Sequence, residues 1–451
     1  MVTEGGRNRI RILALSDVAV GYGSPQVQYL LDSLRRHYRN ASVTMVEPDQ
    51  KRRARRDPLF PEIEVIRVVT TMPPYDGAFH VEYNLELRKI IEERKPHILI
   101  ATHGWVLPSI LTANWKPDCF IYYMLESLTH QRQGMGELAI EINRQALGVA
   151  DIVLTPEIHR SEADLRAVGW TADGFIEIFN SSHGIPEKDL VPADERRERI
   201  LYSGSIGPAT LTSHLAQESL SSVKFDIAGP AETEEARQML AELQRRPNVN
   251  YLGVLPASEL AKTRGQYAYS LVMWNPTDIN QLYASPNKFF ETIQAGVPPI
   301  AAPHPQCTEI IDRYKCGQVM ADWEADSFSK AVTKAMRLFR TDRRGYSDMV
   351  AGCLKASKTE LKWDIQFRKV VSRLPGARAL TGQPAPAGVA DGEADTAAPA
   401  TARTGSTRSK TGTKVSASAK KATVSKGSKS RSAKPKRGPS RNKTPDTSSR
   451  S

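Results

Sequence analysis

Lys288 and Glu291 stand three residues apart in the stretch SPNKFFETIQAGVPPIAAPHPQCTEII, residues 285–311. Positions three apart share one face of a helix, so the spacing offers an ammonium and a carboxylate side by side. The pattern predicts a polar turn, a short helix over 287–294, a glycine stop, a buried strand over 297–301, and a further turn and helix. Both charges would then sit where a strand-to-helix crevice can hold a ligand. A solvated surface lysine is the plain alternative for Lys288.

Three other loops carry groups able to do chemistry, each just after an apolar run. Thr102-His103-Gly104-Trp105 follows 97–101, and Met124-Leu125-Glu126-Ser127 follows 118–123. Ser203-Gly204-Ser205-Ile206-Gly207 follows 200–203. Loops at the carboxyl ends of strands are where open α/β sheets meet their ligands. His103 either contacts a ligand or caps the next helix and donates to a carbonyl. Glu126 serves as a rim acid or simply opens a helix, where an acid complements the dipole.

The elements that must position these residues alternate throughout. In the first half, strands are expected over 9–17, 42–46, 64–69, 97–101, 118–123 and 151–154. Helices are expected after Gln26, over about 80–93, from about Trp105, over about 137–149, and over 158–168. The loop GYGSPQ (21–26) holds two glycines without a full phosphate-binding fingerprint, so a plain turn and a phosphate loop both fit. The aperiodic segment SSHGIPEKDLVPADERRE (181–198) reads as the linker. A second alternation follows, with strands over 200–203, 223–228, 249–252, 270–273, 297–301 and 318–320, and with helices that include 234–244 and 287–294. Helices near 326–339, 346–358 and 363–374 close the chain. The architecture expected is α/β, with two Rossmann-like, doubly wound domains facing a cleft. The boundaries expected are 1–185, a linker at 186–198, 199–358, a closing helix at 359–375, and a disordered basic tail at 376–451.

The net charge of +12 belongs to that tail. Residues 401–451 hold 15 Lys or Arg against one acid, Asp446, which leaves 47 basic and 49 acidic residues before them. Rich in Ala, Pro, Ser, Thr and Lys and free of aromatics, the tail lacks the apolar surface to fold alone. Counterion release would let it bind polyanions, including nucleic acid or an anionic membrane. KRRARR (51–56) is either a solvated loop or an attraction for anionic headgroups or a phosphorylated acceptor. No run of about 18 apolar residues could span a bilayer, and the amino terminus lacks a signal-peptide pattern. A cytoplasmic protein, peripheral at the inner membrane face, is the expectation. The four cysteines show no metal or redox spacing and read as reduced thiols in or near cores.

With SPNKFFETIQAGVPPIAA and a later Glu309, the chain over about 9–374 resembles the GT-B glycosyltransferases. It is most similar to the family-four retaining enzymes that use nucleotide-diphosphate sugars. The resemblance implies that Glu291, one turn before Ala295-Gly296-Val297-Pro298, binds the donor ribose; a carboxylate can accept two hydroxyl hydrogen bonds. It implies no cofactor beyond the nucleotide-sugar donor, no metal, and neutralisation of the diphosphate by helix amino termini and basic side chains. The sequence departs from the family in three places. Tyr283 stands where a second Glu is common. The loop after 200–203 lacks the usual Arg and Lys, which leaves Lys288 as the substitute, with Gly204, Ser205, Ser285 and Asn287 as backbone and side-chain donors. Leu125 stands where a His is common, which leaves Glu126 and His103 as the catalytic candidates. The expected activity is sugar transfer to a cell-envelope polysaccharide or a lipid-linked acceptor, with retention of configuration. The alternatives are an inactive scaffold tethered to a polyanion by its tail, and a nucleotide-sugar epimerase.

Overall fold

The computed structural model describes residues 9–49, 54–72 and 77–381. The tail from 382 onward and Lys51–Arg53 of the basic run lie outside the described residues. Among the described residues no helix is long and apolar enough to cross a membrane.

Two parallel sheets form the frame, each flanked by helices. The first contains β1 (Ile10–Leu15), β2 (Ala41–Pro48), β3 (Ile63–Val68), β4 (Ile98–Ala101), β5 (Cys119–Tyr123), β6 (Ile152–Thr155) and β7 (Ile176–Glu177). Their spatial order is β3-β2-β1-β4-β5-β6-β7. The second contains β8 (Arg197–Ser203), β9 (Phe225–Ala228), β10 (Val249–Tyr251), β11 (Tyr267–Val272), β12 (Pro299–Ala301) and β13 (Gln318–Val319), in the order β10-β9-β8-β11-β12-β13. The central strands are apolar on both faces, as a sheet covered on both sides requires. In β1, Ile10, Ile12 and Ala14 enter one core while Leu13 and Leu15 enter the other. Each sheet reverses its strand order beside its first strand, β1 or β8, and such a switch point opens a crevice at the carboxyl rim.

Several expected boundaries shift for physical reasons. The helix expected from Trp105 begins as a 3-10 turn, Gly104–Val106, and becomes α-helical over Leu107–Thr112. Ser127 caps a helix, Leu128–Met135, that lacks a clear apolar period. The start of the expected tail carries structure: Ala377–Thr381 is helical and Leu380 is buried in the core of the first sheet. All four cysteines are free and buried. The described part of the basic run, Ala54–Arg56, is exposed, and its two arginines also reach the neighbouring loops. Arg55 pairs with Asp49 at 2.6 Å. Arg56 donates to the Gly21 carbonyl at 2.7 Å and stacks over the Tyr22 ring at 4.4 Å. A Cβ on Gly21, whose φ is +79°, would fall 2.4 Å from the Arg56 side chain. The turn reading of GYGSPQ therefore has the better support.

The chain leaves the first half near Phe179 and returns to it through the Trp363–Val371 helix. Trp363, Phe367 and Val370 complete the core of the first sheet. The Trp363 indole N–H donates to Ser33 Oγ at 2.8 Å and its backbone N–H to the Ser182 carbonyl at 2.8 Å. Gln294, at the end of its helix, donates to the Ser182 carbonyl at 2.9 Å and accepts from Ser182 Oγ at 2.5 Å. Both crossings and the end of the Lys288 helix thus meet at one residue. Trp363→Ala should lower the urea midpoint by the equivalent of about 3–5 kcal/mol, while Trp363→Phe, which chiefly loses the Ser33 bond, should cost clearly less. Chemical denaturation of the two variants checks this.

Candidate functional site

At the carboxyl rim of the second sheet, two loops interlock through bare backbone. Gly204 and Gly229 have φ of +141° and +143°, and a Cβ on Gly229 would lie 1.9 Å from the Gly204 carbonyl oxygen. Only glycine accepts such backbone angles at this closeness. A Cβ on Gly204 would in turn lie 2.8 Å from Lys288 Nζ. The Gly204 loop and the lysine therefore share one small volume, with Ser205 exposed beside it.

Lys288 belongs to the Asn287–Gln294 helix, whose bounds match the expectation. Asn180 sets the approach to this helix by donating to the Ser285 carbonyl at 2.7 Å. The Lys288 amine lies 4.4 Å from the centre of the Tyr202 ring and 5.6 Å from that of Trp274. The residue is half-buried, but its Nζ is sealed from solvent and has no hydrogen-bond partner. Burial is the main force that pushes its pKa down, to about 7; Arg264 adds to the fall and Glu291 opposes it. Glu291 accepts from Arg264 at 2.5 Å, and that arginine is buried. Tyr29 of the first half faces this carboxylate, and burial, aided by Glu291, pushes its phenol up to about 12.

The neighbouring polar atoms are equally unsatisfied. Asn287 Oδ1, Trp274 Nε1, His304 Nε2, Thr308 Oγ1 and Trp323 Nε1 are all sealed and without partners. His304 ties them to the lysine. Its ring is 6.1 Å from that of Trp323, Thr308 donates its backbone N–H to the His304 carbonyl, and the Lys288 charge reaches its imidazole. Burial first, with that charge, depresses the His304 pKa to about 4. Native interiors leave few buried polar groups unpaired, so this many on one rim call for a polar partner. Among the described residues no group of three or more His, Cys, Asp or Glu is placed to hold a metal ion.

Across the cleft, the first sheet presents His103 and Glu126. His103 makes no capping bond to the turn that it precedes; its Nδ1 contacts Asp17 Oδ1 instead, and both residues are buried. Burial would depress the imidazole pKa, but Asp17 overrides this and the net shift is upward, with Glu126 adding and Arg160 opposing. Glu126 Oε2 accepts from Asn280 Nδ2 of the second half at 2.7 Å. Asn280 Oδ1 accepts from the Ser127 N–H at 3.1 Å and from Arg160 at 3.0 Å. Arg160 is buried and also holds the Leu125 carbonyl at 2.7 Å.

Searches against family models and against curated proteins match nothing. Solved structures do match. Sucrose-phosphate synthase from Thermosynechococcus elongatus superposes with a TM-score of 0.62 at 14% identity, over 81% of this chain and 98% of that one. HepE from Anabaena, in complex with UDP and glucose, superposes with a TM-score of 0.60 at 11% identity, over 81% and 99%. The lipopolysaccharide galactosyltransferase WaaB gives 0.57 at 13%, over 81% and 100%. The chain has the GT-B fold.

Within this GT-B frame, Gly204, Lys288 and Glu291 form one cluster, with Asn287 at its helix start, while His103 and Glu126 stand together on the opposite rim. Ser285, expected as a donor at the helix start, has its hydroxyl engaged within the chain. That hydroxyl donates to Gln306 Oε1 at 2.7 Å and to the Pro156 carbonyl at 3.3 Å, so it fastens the two halves. Sequence reasoning missed Arg264, Asn280, Arg160 and Asp17, because each acts from an element remote in sequence; Asp17, as the last residue of an apolar run, was the one with a local signal.

Lys288 also generates a stability test. Its folded pKa of about 7 lies below the ordinary 10.5, so below pH 10 folding must expel a proton or bury a charge. That penalty grows as pH falls from 10 to 7 and is constant below. Lys288→Met should raise the thermal midpoint more at pH 7 than at pH 9.5, as melts at the two pH values would show.

Proposed function

We propose that the protein is a glycosyltransferase that moves a sugar from a nucleoside-diphosphate donor to a polysaccharide or lipid-linked acceptor at the cytoplasmic face of a membrane. The observation that carries this reading is the sealed, unpartnered Lys288 amine against the bare Gly204 backbone, with Glu291 one turn along the same helix face. A diphosphate brings the charge that the amine lacks, and Glu291 accepts the ribose hydroxyls through the lone pairs that Arg264 leaves free. The UDP bound in the HepE structure supports a uridine donor. As the glycosidic bond breaks, negative charge grows on the leaving diphosphate, and a cation fixed in a dry site stabilises it without a metal. The first half supplies the acceptor side, with His103 and Glu126 as its chemically active groups.

Binding and hydrolysis of UDP-, GDP- and ADP-sugars by wild type, Glu291→Ala and Lys288→Met test the reading. At least one donor should bind wild type, and each substitution should weaken it by roughly tenfold or more, in line with the loss of one charge-assisted contact. Absence of binding by every donor sinks the enzyme reading and leaves a scaffold tethered by its basic tail; binding that Glu291→Ala leaves unchanged sinks the site.

A further inference from the structure

The donor-side cluster holds a buried cation to which the transfer chemistry assigns no task. Arg264 ends the Ala257–Arg264 helix, just before β11, and its side chain is only 5% exposed. The last carbonyls of a helix suit a cation, but a guanidinium out of water also needs a charged partner. Its one hydrogen bond among the described residues runs from Nη1 to Glu291 Oε2, at 2.5 Å. Arg264 Nε is sealed and unpaired. The partner carboxylate, by contrast, is 38% exposed.

Glu291 is turned away from the core because Phe289, Phe290 and Ile293 of the same helix are buried in it. With Oε2 taken by Arg264, Oε1 makes no hydrogen bond among the described residues and is not among their sealed atoms. The Glu291 charge also reaches Lys288 on its own helix and Tyr29 of the first half, but neither is hydrogen-bonded to it. One oxygen is thus anchored from the protein side and the other is left open.

We propose that Arg264 is a positioning residue of the donor site: it pins Glu291 through one oxygen, so that the remaining lone pairs are held ready for the ribose hydroxyls of the nucleoside diphosphate. The proposal rests on the glycosyltransferase reading and adds the residue on which recognition of the ribose depends. A glutamate free to rotate has to be ordered when the ribose arrives, which costs on the order of tenfold in affinity. A hydroxyl bonded to a charged carboxylate contributes about tenfold or more. Without Arg264 the two effects largely cancel, and the preference for ribose fades although Glu291 is still present. The effect on the diphosphate has the opposite sign. Arg264 disfavours the charged form of Lys288, so its loss helps the amine to meet an anion.

Calorimetric titration of UDP and of 2′,3′-dideoxy-UDP into wild type, Arg264→Met and Arg264→Lys tests this. At pH 6 most of the Lys288 amine is protonated with or without Arg264, which isolates the ribose effect. Wild type should prefer UDP by roughly tenfold or more. The preference should drop below about threefold in Arg264→Met and be partly restored in Arg264→Lys, while dideoxy-UDP binds all three within about twofold. A preference that Arg264→Met leaves intact overturns the proposal. So does one that rises, which makes Arg264 a competitor of the ribose, and so does an equal loss of both ligands, which makes the residue structural. Thermal melts read the pairing without any ligand. Glu291→Ala should lower the midpoint in the wild-type background, where it strands a buried guanidinium, and clearly less in the Arg264→Met background; equal drops overturn the pairing. If wild type binds both ligands alike, the donor reading stands and the ribose role is overturned. If it binds neither, the glycosyltransferase reading fails and the ribose role falls with it, while the melts still decide the pairing.

Discussion

An amine sealed from water between two aromatic rings, with no acceptor in reach, is the constraint on which the candidate site depends. Faces of Tyr202 and Trp274 offer it some attraction, of order 0.5–2 kcal/mol per contact. That falls short of the penalty for burying an unpaired charge, and so the pKa of the amine drops instead. The surrounding residues hold the amine in place: Gly204 and Gly229 keep side chains from its rim, Asn180 fixes where its helix begins, and Arg264 engages Glu291. An anion entering this site meets the amine out of water, where their attraction is stronger than at a surface lysine, and it restores the proton that burial removes.

That arrangement has meaning only if a second surface faces it. The return of the chain through Trp363, and the meeting of Gln294 with Ser182, hold the start of the second half against the first. On the far side of the cleft, Asn280 reaches Glu126, Ser127 and Arg160, while Gln306 donates to the Pro156 carbonyl at 2.8 Å. These are polar contacts with few apolar partners, the kind that a hinge can exchange at modest cost. The rims of the two sheets are therefore tied together by side chains from elements distant in the sequence.

This explains what was legible in the sequence and what was not. Period and punctuation gave the alternation of strands and helices, and they placed the Asn287–Gln294 helix with Lys288 and Glu291 on one face. The interlock of Gly204 with Gly229 was legible only as two small-residue loops, since closeness across a sheet is not a local property. The partners of the site residues were hidden for the same reason: Asp17 meets His103 because β1 and β4 are neighbours, an adjacency fixed by strand order. Ser285 shows the same limit from the other side: a serine before a helix reads as a donor to a ligand, and its bond to Gln306, from the Pro305–Tyr314 helix, has no local signal. Leu380 shows how composition misleads at a boundary, because a single apolar residue inside an Ala-rich segment was enough to seat another turn of helix on the first core.

The central claim is that the Lys288 amine waits for an anion, and calorimetry of UDP titrated into the protein at pH 8, in two buffers of different ionisation enthalpy, tests it most directly. With the empty-site pKa near 7, most of the amine is neutral at pH 8, and a bound diphosphate raises its proton affinity. Binding should come with uptake of most of one proton, an uptake that shrinks toward pH 6, is lost in Lys288→Met, and is accompanied by weaker affinity as pH rises from 7 to 9. No binding, or binding whose heat is the same in both buffers and in Lys288→Met, would contradict it.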